Sequence, residues 1–125
     1  MKIVIDLDQT ITAPKPGETY ENASCNTAVV AKLKEYQQQG FTIAIHTARN
    51  MRTHSGNLGK INTDTLPLII RWLDKNQVPY DEIFVGKPWC EDGGFYVDDK
   101  SIRPDEFAKL SLKEIYELIG ETSPQ

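Results

Sequence analysis

Two aspartates, Asp6 and Asp8, follow directly on the apolar run Ile3–Ile5, with a hydroxyl at Thr10. A carboxylate at the end of a core strand is costly unless something completes it, because desolvation disfavours the charged form. Other polar residues recur at equivalent places. Thr47 and Arg49 close the run "FTIAIHT", Lys87 follows "EIFVG", and Asp98 and Asp99 follow "FYV". Four carboxylates, a lysine and a hydroxyl converging on one crevice suit a hard cation and an anion bound to it. Mg²⁺ fits best, since it prefers oxygen ligands, keeps several waters and works through one or two carboxylates plus a substrate phosphate. The absence of His or thiolate at ligand spacing argues against zinc.

The elements that would position these groups read as alternating strands and helices. A helix is expected from about Asn26 to Gln38, with Val29, Val30, Leu33 and Tyr36 near helical spacing and Gly40 as its stop. A second is expected from about Thr63 to Asn76, carrying Leu66, Ile69, Ile70 and Leu73 inward, with Pro67 blurring its start. The stretch "ARNMRTHSGNLGK" between them reads as a long loop. "SLKEIYELIG" has Ser111 and Glu114 at capping-box spacing and Gly120 as its end, hence a third helix. Ile3–Ile5, Phe41–Thr47, "EIFVG" and "FYVDD" read as strands, the first buried on both faces. The expected class is α/β, a parallel Rossmann-like sheet with helices on both faces as a three-layer α/β/α sandwich. In such sheets ligands bind beyond the carboxyl ends of the strands, where every unusual polar residue here falls.

The 125 residues suit one domain over residues 1–120 with a polar tail at 121–125. No apolar run approaches the ~18–20 residues of a membrane span, and the N-terminus does not read as a signal peptide. Cys25 and Cys90 lie far apart with no partner motif, which fits a reducing cytoplasm. A net charge of −4 argues against general nucleic-acid binding.

On these residues the chain resembles the haloacid dehalogenase-like phosphatases. "DLDQT" is similar to their DxDxT signature, "HTAR" to the second motif, "GKP" to the third-motif lysine and "VDDK" to the acidic fourth motif. More narrowly, "TARNMRT", "VGKPWC" and "YVDDKSIRP" resemble small phosphatases encoded with bacterial capsule-polysaccharide genes. The resemblance implies an Mg²⁺-dependent phosphatase acting on a small phosphorylated metabolite, such as a sugar phosphate, through an aspartyl-phosphate. Asp6 would be the nucleophile and Asp8 the general acid and base, its backbone carbonyl also meeting Mg²⁺. Thr47 would donate to a phosphoryl oxygen, helped by backbone amides near Ala48, and Lys87 would offset charge. Asp99 would ligate the metal with Asp98 behind it, an order the tandem pair leaves open. Gln9 stands where the family usually has glycine, and His46 where an apolar residue is common, facing away from Thr47.

The resemblance also implies a capless enzyme, since Thr12–Asn26 is short and Arg49–Lys87 is filled by one loop, one helix and one strand. Water would be excluded by the substrate itself, by the Asn50–Lys60 loop, with Arg49, Arg52, His54 and Lys60 meeting the substrate, or by a neighbouring copy in a homo-oligomer. Arg49 is balanced between a phosphate contact and a structural ion pair. Trp89 is balanced between stacking on substrate and packing its loop. Two other activities stay open: a phosphotransferase using the same intermediate, and a non-catalytic protein that binds a phosphorylated ligand.

Overall fold

The computed structural model describes residues 1–122, so residues 123–125 of the expected polar tail lie outside it. Two compact units are present, Met1–Trp89 and Cys90–Gln125.

The first unit is α/β. Its elements are β1 (Lys2–Ile5), α1 (Thr27–Gln38), β2 (Thr42–Thr47), α2 (Leu58–Lys60), a π-helical segment (Ile61–Thr65), α3 (Leu66–Lys75) and β3 (Glu82–Val85). The strands form one parallel sheet in the order β1-β2-β3. Ile5 pairs with Ile45 and Thr47 with Val85. This register brings the carboxyl ends of all three strands to one edge, so the residues just after each strand become neighbours. Asp81 holds the opposite end of β3 in place. Its carboxylate accepts from the Ile43 N–H at 2.8 Å and its own N–H donates to the Ile43 carbonyl at 2.8 Å.

The α1 sequence folds as its pattern dictates. The Asn26 side chain accepts from the Val29 N–H, satisfying an orphan donor, and Val29, Val30, Leu33 and Tyr36 form the buried stripe. Gly40, at φ +92°, reverses the chain so that Phe41 returns edge-on to Tyr36, with ring centroids 5.1 Å apart. Ile43, Ile45, Leu33, Ile69 and Leu73 are all fully buried in the core beneath the sheet.

Three expectations need correction. The second helix begins earlier than Thr63, because helical turns already run from Leu58 and the supposed loop ends there. Pro67 explains the form of this start. It has no N–H and its ring crowds the carbonyl four residues back, so the α-ladder is relieved by a π turn in which the Leu66 N–H reaches the Ile61 carbonyl. Second, β1 is not buried on both faces. Val4 is 62% exposed, and so is much of Phe84, on the face that the register gives to Ala44 and His46. Third, no strand forms at "FYVDD". Among the described residues of the second unit there is no strand for Phe95–Val97 to pair with, and Phe95 and Val97 are largely exposed.

That second unit consists of turns followed by α4 (Pro104–Lys109) and α5 (Leu112–Ile119). The sequence reading missed α4, whose Pro104 sits in the first turn, where a missing N–H is harmless. The Arg103 N–H donates to the Glu106 carboxylate at 2.8 Å. In α5 the anticipated capping box is formed. The Ser111 hydroxyl accepts from the Glu114 N–H and the Glu114 carboxylate from the Ser111 N–H, and Gly120 closes the helix in the left-handed region. Phe107 of α4 and Ile115 of α5 are buried.

Candidate active site

The turn after β1 is organised by Leu7, which is fully buried between the two half-exposed aspartates. Its carbonyl accepts from the N–H groups of Ile11 at 2.9 Å and Thr12 at 3.0 Å. A buried Leu7 anchors the turn and leaves Asp6 and Asp8 at the strand end. Gln9 adopts φ +61°, the left-handed conformation that glycine would take without cost. Its N–H donates to the Thr12 hydroxyl at 3.0 Å, which helps to hold the turn.

Asp6 lies 3.7 Å from the Lys87 ammonium through Oδ1, and its Oδ2 accepts from the Thr10 hydroxyl at 3.3 Å. Burial pushes its pKa above the usual carboxylate range. Lys87 and the Leu7 N–H oppose that rise, while the neighbouring Asp8 adds to it. Lys87 is itself tied to the site through its N–H, which donates to the Thr47 carbonyl at 3.1 Å. Thr47 is almost wholly buried, and its hydroxyl accepts from the Arg49 N–H at 3.1 Å. An accepting hydroxyl still carries a proton to donate. His46 has its pKa drawn down by burial and by the Lys87 ammonium, against an opposing pull from Asp6.

Asp8 is held differently. The Arg49 guanidinium grips both its oxygens, Nε to Oδ2 at 3.1 Å and Nη2 to Oδ1 at 2.6 Å. Such a fork–fork pair fixes orientation as well as position. The Arg49 side chain is only 3% exposed, against 30% for Asp8. Of the two roles weighed for Arg49, the structure forms the ion pair. The other face of this pair was not legible in the sequence: the Tyr20 ring lies 4.3 Å from the guanidinium carbon, a cation–π stack. Nothing in the linear spacing connects a lone tyrosine in a turn-rich loop to an arginine 29 positions on.

The remaining site candidates of this unit follow β2 and β3 in the chain. The backbone after Ala48 forms overlapping turns, with the Met51 N–H donating to Ala48 and the His54 N–H to Asn50. Arg52 and Lys60 are exposed, and Trp89 is 43% exposed. The Asn50–Lys60 segment is tied down at both ends. Thr65 donates to the Asn50 side chain at 2.8 Å, and Leu58 packs on Gly86, where an added Cβ would come within 2.6 Å of it. In the second unit Asp98 and Asp99 lie in an exposed turn, not at a strand end. The Lys100 N–H donates to Asp98 at 2.9 Å, which lowers the Asp98 pKa.

The Asp6 carboxylate and the Thr10 hydroxyl beside it are oxygen donors, which suit a hard cation better than a soft one. Both oxygens of the Asp8 side chain are engaged by Arg49, so any share of Asp8 in cation binding falls to its backbone carbonyl. Among the described residues of this unit, no three His, Cys, Asp or Glu side chains gather as a metal cluster. None of the described helices is long and apolar enough to cross a membrane.

A crystal structure of a structural-genomics target from Vibrio cholerae is 55% identical to this chain, covers 95% of it and 96% of its own length, and superposes with a TM-score of 0.90. The chain belongs to the same family as that protein. No protein-family model matches the chain, and neither does any curated protein. Two further structures share the fold at low identity. A chain of a Pnkp1/Rnl/Hen1 complex is 23% identical over 67% of this chain and 27% of its own, with a TM-score of 0.52. A chain of the Pnkp1/Rnl/Hen1 RNA repair complex is 22% identical over 93% of this chain and 31% of its own, with a TM-score of 0.51.

Proposed function

We propose that this protein is a divalent-cation-dependent phosphomonoesterase of the haloacid dehalogenase-like type. Its core would be capless and three-layered, and its substrate a small phosphorylated metabolite such as a sugar phosphate of surface-polysaccharide synthesis. One observation carries the reading: a desolvated carboxylate at a strand end, 3.7 Å from a lysine, stands two residues from a second carboxylate locked in place by arginine.

In this mechanism an Asp6 oxygen attacks phosphorus and the ester bond breaks. Asp8 gives its proton to the departing alkoxide, and the phosphoryl group stays on Asp6 as an acyl phosphate. Asp8 then takes a proton from the water that attacks phosphorus, which releases phosphate and frees Asp6. General acid–base assistance of this kind is worth about 10²–10⁴-fold. Lys87 lowers the repulsion between Asp6 and the incoming dianion, and the Thr47 hydroxyl donates to a phosphoryl oxygen. Asp6 and the Asp8 carbonyl would hold Mg²⁺, and the acidic pair Asp98–Asp99 is proposed as the remaining ligand source, Asp99 first. When bound, the cation supplies countercharge for the phosphate and for Asp6.

Hydrolysis of 4-nitrophenyl phosphate, with and without Mg²⁺, tests the reading. Activity should require Mg²⁺ and vanish in Asp6→Asn, and Asp99→Asn should raise the Mg²⁺ concentration needed. Turnover that persists in Asp6→Asn removes the mechanism. Product analysis with added alcohols separates hydrolysis from phosphotransfer.

A further inference from the structure

We propose that Tyr20 is a positioning residue for proton transfer: by stacking on Arg49 it fixes the fork that aims Asp8. This rests on the phosphatase reading above and extends it to a residue that the motifs leave out.

The loop between Thr12 and Cys25 is built to present this ring. Its stem is closed by the Thr12–Cys25 bridge, by the Ala13 N–H donating to the Ser24 carbonyl at 2.7 Å, and by the Asn26 N–H donating to Ile11 at 2.7 Å. Inside the loop the Glu18 carboxylate accepts from the N–H groups of Lys15 at 2.6 Å and Ser24 at 3.0 Å, and from the Ser24 hydroxyl at 3.0 Å. These donors hold the Glu18 pKa below the usual range, the Lys15 N–H contributing most. The Thr19 N–H donates to Asn22 at 2.7 Å, and the Ala23 carbonyl accepts from the buried Trp72 indole at 2.9 Å. Tyr20 therefore sits between fixed points on either side, although the residue is 56% exposed. A loop so thoroughly tied, carrying an exposed aromatic stacked on the cation that grips Asp8, has a mechanical use.

That use is orientation. Proton transfer requires the acid within hydrogen-bond reach of the leaving oxygen, and misplacement of about 1 Å costs on the order of 10²-fold. Asp8 is aligned by Arg49, and an arginine has long, soft torsions unless its plane is held. The ring supplies a flat surface over the guanidinium, while the carboxylate is gripped along its Nε–Nη2 edge.

The leaving group distinguishes this role from simple structural support. A nitrophenolate departs with little protonation, whereas an alkoxide needs the proton from Asp8. In Tyr20→Leu, kcat/KM for ethyl phosphate should fall roughly 10-fold, while that for 4-nitrophenyl phosphate stays within about 2-fold. Tyr20→Phe keeps the ring and should restore both values to within about 2-fold. Glu18→Gln, which loosens the loop without altering ring or guanidinium, should show the same bias toward the alkyl ester at smaller amplitude. Equal losses on both esters, or no loss on either, overturn the positioning role. A wild-type protein inactive on both esters, or one whose activity survives Asp6→Asn, overturns the phosphatase reading itself.

Discussion

Replacing Arg49 by Met and Asp8 by Asn, each alone and both together, measures how firmly the proposed acid is held. Exposed ion pairs are worth about 0.2–1 kcal/mol, and truncating one partner of a fully buried pair costs about 3–5 kcal/mol. This pair lies between those limits, with the arginine side chain 3% exposed and the aspartate 30%. Two charge-assisted hydrogen bonds connect them, one as short as 2.6 Å. A coupling energy of about 2 kcal/mol is therefore expected from the double-mutant cycle. Arg49→Met alone should cost somewhat more, about 2–3 kcal/mol, because the stack on Tyr20 is lost as well. Urea unfolding followed by the fluorescence of the buried Trp72 is the appropriate assay. A 2 kcal/mol loss shifts the midpoint by roughly 1 M at the slopes usual for small domains. A coupling below about 0.5 kcal/mol would mean that Arg49 does not hold Asp8 in solution. The arginine would then be available to the substrate phosphate, and both the aiming of Asp8 and the part given to Tyr20 would fail with it.

Three other outcomes can be stated from the same geometry. The Asp6 pKa is raised by burial, so its contribution to stability is fully present below about pH 3.9 and is lost as pH rises through the folded-state value. Asp6→Asn should therefore melt above the wild type at pH 7, the gap narrowing toward pH 4, and Mg²⁺ should raise the melting temperature of the wild type alone. Gly86→Ala should destabilise by roughly 1–3 kcal/mol in chemical denaturation, since φ is +86° and the new methyl meets Leu58 at 2.6 Å. Adding Leu58→Ala should recover the collision but not the backbone strain. Gln9→Gly should raise stability by about 0.5–1 kcal/mol in the same assay, because φ at this position is +61°.

What could be read in the sequence follows from the range of the forces involved. Helix α5 was legible down to its capping box because Ser111 and Glu114 act on backbone donors three residues apart, while α1 was legible from its buried stripe and not from its Asn26 cap. The three strands of the sheet were legible as apolar runs, and the association of Asp6, Thr47 and Lys87 followed from the rule that parallel strands end together. The start of the second helix was obscured because Pro67 cannot show in advance whether a chain will stop or insert a π turn. "FYVDD" has the composition of a strand, but pairing is a property of two segments and not of one. Tyr20 was invisible for a related reason. A cation–π contact depends on where a loop folds back, and that was decided by Glu18, Asn22 and Trp72, none of which carries a motif.

The π turn at Ile61–Thr65 has a consequence for how this chain can change in length. Wider winding stores one surplus residue, so a single deletion there could heal into continuous α-helix with its ladder intact. The wide turn absorbs its extra residue within one turn, so the segments on either side would keep their phase. Leu58 would stay against Gly86, and the rim segment would keep its purchase beside Lys87. A deletion in the regular winding of α3 would instead rotate everything upstream by about 100° and unseat the mouth of the site.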